Sequence, residues 1–509
     1  MAEEGKRADT PQAGAGTRGP SRREFLETGA RAVSGLAMAT AALEPERLKA
    51  ASVEARPNFL FLLGEGVRSD ELSSTGNKII STPHLDRIGR EGITFQNMFV
   101  VNALCLPSRA TFLTGLYSHS TGCVDNRRRE IPEDIPTLAE LLQEAGYEAA
   151  FFGKIHIRGS HLRHWDYYFG IEEAGANFYH PVITESERGI ARPPKEFHGY
   201  VDDIITDRAR AWMNKPHSKP FCLFLWFIAP HAPFYRPRRY LDLYNGIPIP
   251  KPPTFDADLQ GYPGKPLAFR TADNKIGTTV LDDDDPRSLE ELVKDHYAGV
   301  VANDDCARRL FEALARAGKL DDTAILFSSD HGFFLGEWRF YDKRFMHEPS
   351  IRVPLMIRYP RLIQPGAVTR KMALNLDLAP TVLEMAGLKV PAWMQGRSLV
   401  PFFKGGAPAA WREDWLYEYY EYPGEQQVRP HRGIRSDRYK LIHYYLEPEE
   451  FELYDLQEDP GEIHNLYTRP ESASLVAALR HRLEELRGET GDMYNYETPA
   501  GQTVMKQPS

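Results

Sequence analysis

The chain has 509 residues, with 62 basic against 71 acidic side chains for a formal net charge of −9, and 42% hydrophobic and 26% charged residues. These values are globular, which excludes a largely disordered, collagen-like or disulfide-scaffolded chain, and the mildly acidic balance leaves no basic footprint for nucleic acid. The length exceeds an ordinary single domain and suits a large catalytic domain with a smaller one attached.

Met1 to Pro20 is rich in Gly, Ala, Thr and charge, without periodicity. Ser21-Arg22-Arg23-Glu24-Phe25-Leu26, followed by the small apolar run Ala30 to Leu43, resembles a twin-arginine export signal. It implies a protein that folds in the cytoplasm and is exported to the periplasm. Beyond it, the longest strongly apolar stretch is Phe221 to Pro230, too short to cross a bilayer as a helix, so no stable membrane span is expected. The four cysteines, Cys105, Cys123, Cys222 and Cys306, are too sparse for a disulfide framework. Cys222 lies in an apolar run and reads as a small core hydrophobe.

Arg56-Pro57-Asn58 leads into Phe59-Leu60-Phe61-Leu62-Leu63-Gly64, a continuous apolar run expected to be a strand buried on both faces. Thr82-Pro83-His84-Leu85 opens a short helix through Asp86 and Ile88. Thr137 and Glu140 are spaced as a capping box for an amphipathic helix that stops at Gly146-Tyr147 and gives way to a strand, Ala149 to Phe152. Cys222 to Ile228 and Thr323 to Ser329 read as two more buried strands, with helical periodicity over Leu289 to Ala317 between them. Strands alternating with helices predict an α/β fold, a large mostly parallel sheet sandwiched by helices. In that architecture ligands bind at the carboxyl edge of the strands, where Glu65, Lys154, His231 and Asp330 fall. Asp282 to Asp285 reads as a solvated acidic loop.

From about Trp411 the pattern changes to aromatic-rich short strands: Trp415 to Tyr420, Tyr439 to Tyr445 and Phe451 to Leu456. A helix from Ala473 to Arg487 follows, with Ser472 as its N-cap. This predicts a smaller α+β subdomain, an antiparallel sheet plus a helix. Its aromatics suit a carbohydrate surface or a core equally well. The expected boundaries are 1–55 for signal and tail, 56–405 for the catalytic domain, 406–490 for the C-terminal subdomain and 491–509 for a tail.

The strongest local signal is Cys105-Leu106-Pro107-Ser108-Arg109. A helix starting near Pro107 puts Cys105 at its positive end, where a thiolate or an anion is favoured. The string resembles the Cys-x-Pro-Ser-Arg signature of the type I sulfatases, members of the alkaline-phosphatase-like superfamily. Further motifs in the same order are similar to that family's: Arg56-Pro57-Asn58, Thr82-Pro83-His84-Leu85-Asp86, Gly153-Lys154-Ile155-His156, Pro230-His231-Ala232-Pro233, Ser329-Asp330-His331-Gly332, Leu335-Gly336-Glu337 with Lys343, and Glu452-Leu453-Tyr454-Asp455-Leu456 with Asp459-Pro460 and Asn465-Leu466. The resemblance implies that Cys105 is converted to formylglycine (3-oxoalanine), whose hydrated aldehyde is the nucleophile. It also implies a divalent cation, Ca2+, held by Glu65, Asp330, His331 and the modified Cys105. Lys154, Lys343 and His231 would bind sulfate oxygens. Arg109 would hold the hydrate, His231 would protonate the leaving oxygen, and His156 would take the proton that lets sulfate leave.

The implied activity is sulfuric ester hydrolysis on a sulfated saccharide, of glucosamine 6-sulfate type. The implied partner is a formylglycine-generating or anaerobic sulfatase-maturing enzyme. The chain departs from the family pattern twice: Glu65-Gly66 stands where the family has paired aspartates, and Ile228 stands where it has a lysine. These departures keep open a catalytically impaired homologue that binds sulfated glycans, and a phosphodiester or phosphonate hydrolase on the same scaffold. His119 is expected to pack or cap. His431-Arg432 is a candidate to reach a sugar substituent.

Overall fold

In the computed structural model the described residues are 56–493, without 128–129, 159–164, 173–176, 256–263, 275–287 and 407, together with two short strands at 496–497 and 504–505. The expected export signal, the acidic run Asp282 to Asp285 and nearly all of the expected C-terminal tail lie outside them.

The main sheet contains β1 (Asn58–Gly64), β2 (Ile93–Phe99), β3 (Glu148–Lys154), β4 (Tyr167–Ile171), β5 (Val182–Glu187), β6 (Ile190–Ala191), β7 (Lys195–Glu196), β8 (Phe221–Trp226) and β9 (Thr323–Ser329). A small hairpin, β10 (Phe334–Leu335) and β11 (Tyr341–Asp342), follows, and β12 (Arg352–Arg358), β13 (Ala367–Thr369) and β14 (Ala373–Leu374) return to the sheet. Its order is β13-β2-β12-β9-β1-β8-β3-β4-β5-β6, with β14 on β2 and β7 on β5. The central run β9-β1-β8-β3-β4 is parallel, while β12 and β5 pair antiparallel to their neighbours.

The apolar runs are continuous because both faces of these strands are covered. Phe59, Phe61 and Leu63 of β1 enter one core, and Leu60 and Leu62 the other. The same alternation divides Cys222, Phe224 and Trp226 from Phe221, Leu223 and Leu225 in β8. Each such side chain contributes about 1.5–3 kcal/mol by leaving water. Cys222 is therefore core, as expected, and all four cysteines are free and buried.

On one face lie α1 (Pro83–Arg90), α4 (Val201–Met213) and the long α5 (Leu289–Arg316); on the other lie α2 (Cys105–Thr114), α3 (Leu138–Glu144) and α6 (Leu378–Met385). The expected capping box starts α3: the Thr137 amide donates to Glu140 at 2.8 Å and the Glu140 amide to the Thr137 hydroxyl at 3.4 Å. Helix α2 begins at Cys105 rather than Pro107, since proline is accommodated within a first helical turn.

The C-terminal sheet is β15 (Asp414–Tyr419), β16 (His431–Ser436), β17 (Tyr439–Tyr444) and β18 (Glu450–Asp455), antiparallel in that order, with α7 (Ala473–Thr490) against it. Its core is continuous with one face of the main sheet, and Trp415 stacks on Phe99 at 5.3 Å. Trp415, Tyr417, Tyr419 and Tyr444 are almost fully buried, so these aromatics are core and not a carbohydrate platform. Ser472 precedes α7 but makes no side-chain cap, because a 3-10 turn over Pro470–Ser472 already leads into the helix. His431 is also corrected: it is buried against Tyr417, Tyr419 and Tyr444 and bonded to the Arg429 carbonyl, where no sugar can reach it. Arg432 lies over Tyr445 at 4.2 Å and pairs with Asp492. Among the described residues no helix is long and apolar enough to cross a membrane.

Candidate active site

Parallel register brings the chemistry together. Gly64 pairs with Ser329, so Glu65 and Asp330 leave β1 and β9 side by side. Lys154 ends β3, and His156 follows it at φ 65°, a left-handed conformation uncommon for a side chain of this size. Cys105 enters from outside the sheet on the first turn of α2.

Six of the expected residues form one buried cluster. The Cys105 thiol lies 3.1 Å from Glu65 Oε1 and 3.4 Å from His331 Nε2. Lys154 Nζ is 3.0 Å from Glu65 Oε2. The Arg109 guanidinium bridges both carboxylates, bonding Glu65, Asp330 at 2.9–3.0 Å, and the Lys154 carbonyl. His331 Nε2 is 3.5 Å from both Glu65 Oε1 and Asp330 Oδ1. Its Nδ1 donates to the Gly332 carbonyl at 2.8 Å, which fixes the ring so that Nε2 points at the carboxylates.

His231 stands at the mouth, its side chain 21% exposed and its Nε2 3.8 Å from Glu65 Oε1. Its Nδ1 donates to the Ala232 carbonyl at 2.6 Å, leaving Nε2 for the site. His156 is buried beside Cys105, and among the described residues no hydrogen bond of good geometry reaches either ring nitrogen. Lys343 is buried and paired with Asp342 at 3.1 Å; its charge acts on Cys105.

The electrostatics follow from crowding. Burial would raise the Glu65 carboxyl, but Lys154, Arg109 and His331 hold it well below the usual range. Asp330 is pushed up by burial and by Glu65. Burial and Glu65 oppose ionisation of the Cys105 thiol, yet Lys343, Lys154 and His331 hold it well below an ordinary thiol. Burial takes His156 down to about 4, so it is neutral near pH 7. Burial would also lower His331, but Asp330 pulls it up to about 9. The paired carboxylates therefore call for a positive charge at Nε2, either a proton or a metal cation.

Glu65, Cys105, Asp330 and His331 offer donor atoms within 4.8 Å of one another, a set that fits a divalent cation.

Several functional neighbours carried no sequence signal. Asp342 pairs with both Lys343 and Arg344, and Arg344 pairs with Glu421 beyond β15 at 3.4 Å. Glu421 accepts from the Asn126 amide at 3.3 Å, and the Asn126 side chain accepts from the Leu106 amide at 3.2 Å. The chain of contacts thus runs from the first turn of α2 through Glu421 to Lys343. Asp202 accepts from the amides of Ile228 and Ala229 at 2.9 and 3.0 Å and so fixes the loop leading to His231. Ile228 itself is buried among apolar side chains. Gly66 has φ 85°, and a Cβ there would lie 3.2 Å from Phe333. That backbone turn favours glycine over the family's aspartate.

The Sulfatase family model matches residues 57–388, and the N-sulphoglucosamine sulphohydrolase C-terminal model matches residues 336–489. An N-acetylglucosamine-6-O-sulfatase of Bacteroides thetaiotaomicron is 36% identical, covering 86% of this chain and 87% of that protein. A Ulvan-active sulfatase of Formosa agariphila is 27% identical, covering 86% and 82%. A solved structure of a protein in complex with its substrate D-glucosamine-2-N,6-O-disulfate superposes with a TM-score of 0.80 at 35% identity, covering 86% of this chain and 99% of that one. With the motifs in order, the strand-end cluster assembled and the match running through both sheets, this chain belongs to the sulfatase family, the enzymes that hydrolyse sulfate esters.

Proposed function

We propose that this sulfatase removes the 6-O-sulfate of a glucosamine unit in a sulfated saccharide, using a formylglycine made from Cys105 and a calcium ion held by Glu65, Asp330, His331 and residue 105. The observation that carries this reading is the convergence of the Cys105 thiol on Glu65 and His331 at the start of α2. The glucosamine assignment is supported by the 36% relative and by the 35% identical structure in complex with a glucosamine disulfate; relatives at 27% are named for N-acetylglucosamine 6-sulfate in some cases and for ulvan in others, so identity at that level does not choose between them. When bound, the cation and the hydrated aldehyde supply a Lewis acid for a sulfate oxygen and a nucleophilic hydroxyl.

The chain's own residues do the rest. Arg109 locks Glu65 and Asp330 in place and faces residue 105. Lys154 and Lys343 offset the charge that builds on the sulfate oxygens. His231, with Nδ1 committed to a carbonyl, delivers a proton from Nε2 to the leaving sugar oxygen. Neutral His156 accepts the proton whose loss lets sulfate depart. Gly66 and Ile228 leave the site one carboxylate and one lysine short of the family pattern; Glu65, Asp330, His331 and residue 105 would hold the cation, and water would have to supply the oxygens these residues do not.

The test is mass spectrometry of the peptide containing Cys105, from protein made with a formylglycine-generating or anaerobic sulfatase-maturing enzyme. It is paired with sulfate-release assays on N-acetylglucosamine 6-sulfate and aryl phosphodiesters. The expected result is a peptide lighter than the cysteine form and release of the 6-sulfate. An unmodified Cys105, binding without turnover, or turnover confined to phosphodiesters overturns the reading. We further propose export to the periplasm through the twin-arginine signal. Replacing Arg22 and Arg23 by lysine should then leave the protein in the cytoplasm; unchanged fractionation refutes export by that route.

A further inference from the structure

Away from the catalytic cluster, the edge of the main sheet carries a second convergence of ligand atoms. Strand β7 pairs antiparallel with β5 in the register Val182 to Glu196 and Ile183 to Lys195. Backbone bonds carry that register past the strand ends: the Phe197 amide donates to the Pro181 carbonyl at 2.9 Å and the Gly199 amide to the Tyr179 carbonyl at 3.0 Å. His180 and His198 are therefore directly opposed between two bonded pairs. That is the position where cross-strand side chains approach most closely. Glu196, two residues from His198 on the same strand, shares their face.

The side chains meet as this register requires. His180 Nδ1 is 2.8 Å from His198 Nδ1, and Glu196 Oε1 is 3.7 Å from the first and 3.8 Å from the second. A zinc ion with bonds of about 2.0–2.1 Å in a tetrahedron separates its ligand atoms by about 3.3 Å. The three observed separations bracket that value. The Asn177 side chain accepts from the His180 amide at 2.9 Å, fixing the backbone on which one ligand sits. All three side chains are more than half exposed, so a fourth position is open to water.

We propose that His180, Glu196 and His198 form a surface site for zinc, separate from the catalytic cation. Two imidazoles and one carboxylate are a zinc donor set, and they are poor in the oxygens that calcium takes. The site ties β7 to the segment before β5. Tyr179 of that segment donates from its hydroxyl to the Arg236 carbonyl at 2.7 Å, so zinc also fastens the hairpin to the loop that follows His231.

The test is zinc titration by calorimetry, with metal content measured after desalting, on calcium-saturated full-length protein and on His180→Ala, His198→Ala, Glu196→Gln and Cys105→Ala. The wild type should take up one more zinc equivalent than either histidine variant, and Glu196→Gln should weaken that equivalent about tenfold or more. Cys105→Ala should retain it. Cobalt bound there should lack the sulfur-to-metal charge-transfer band that a thiol ligand would give. Sulfatase activity in calcium and melting temperature in chelator should be unchanged in the His180, His198 and Glu196 variants, so a lost equivalent cannot come from misfolding. If His198→Ala binds as much zinc as the wild type, or if Cys105→Ala abolishes the extra equivalent, the two imidazoles are only hydrogen-bonded to each other and the proposal fails.

Discussion

Glu65 and Asp330 at the rim of the main sheet, and Glu452 on β18 with Glu462 in the segment after it, are all buried carboxylates, yet they keep different company. Glu452 lies 3.1 Å from His347 and 3.9 Å from Lys265 and accepts from Tyr454 at 2.8 Å. Burial would raise it, but Lys265 and His347 hold it down at about 2. Glu462 takes Lys440 at 2.6 Å and the Glu348 amide at 2.8 Å. Each of these carboxylates has an oppositely charged side chain beside it, Lys265 for Glu452 and Lys440 for Glu462. At the rim, Glu65 takes Lys154 and shares the Arg109 guanidinium with Asp330, yet Asp330 is still pushed up, and a thiol and His331 crowd the same two carboxylates. The first set is spread into separate pairs between elements; the second converges its donor atoms on one point, where something else can bind.

The largest expected effect sharpens that contrast. Cys105→Ala should lower sulfate-ester turnover by at least about 10^4-fold, measured as sulfate release, since a nucleophile and its neighbours act as a unit. Its denaturant midpoint should stay level or rise, because the substitution empties part of a crowded site. Glu452→Ala should do the reverse. It leaves Lys265 and His347 buried beside a missing partner and should cost about 3–5 kcal/mol in urea unfolding, with turnover per folded molecule unchanged. Equal losses of stability in the two variants would break the comparison. Next, Lys343→Ala should lower kcat about 10^2- to 10^3-fold with a smaller change in KM, the signature of a charge used mainly in the transition state.

The sequence exposed those parts of the site that follow from strand ends. β1 and β9 are legible because burial on both faces leaves no polar interruption, and Glu65 and Asp330 come where the apolar runs stop. The role of Cys105 was legible only through resemblance, since a cysteine before a helix carries no such meaning by itself. β16 was not legible: His431-Arg432-Gly433-Ile434-Arg435-Ser436 looks solvated, but its long side chains are buried between neighbouring elements. The Arg344 to Glu421 pair spans distant sequence, and the left-handed backbone at Asp342 and Arg344 leaves no mark on residue type. The histidine pair at 180 and 198 depends on a register that composition does not reveal.

His119 gives the smallest and cleanest test, because it too is paired between elements. Its Nε2 donates to the Thr490 carbonyl at 2.9 Å and its Nδ1 faces Glu418 Oε2 at 2.6 Å, so the imidazolium has an acceptor for each N–H. Burial alone would lower it, but the Glu418 charge and hydrogen bond outweigh burial and take it from 6.5 to about 9. A group raised on folding stabilises fully below its unfolded value and loses that contribution as pH climbs through the folded one. Unfolding free energy should therefore fall between pH 6.5 and 9, by at most about 3 kcal/mol from this residue. His119→Gln should be less stable at pH 6.5, and its gap from the wild type should narrow across the same window in urea titrations. A constant gap would mean that His119 is neutral in the folded protein, and its contact with Glu418 would then not be a pair of opposite charges.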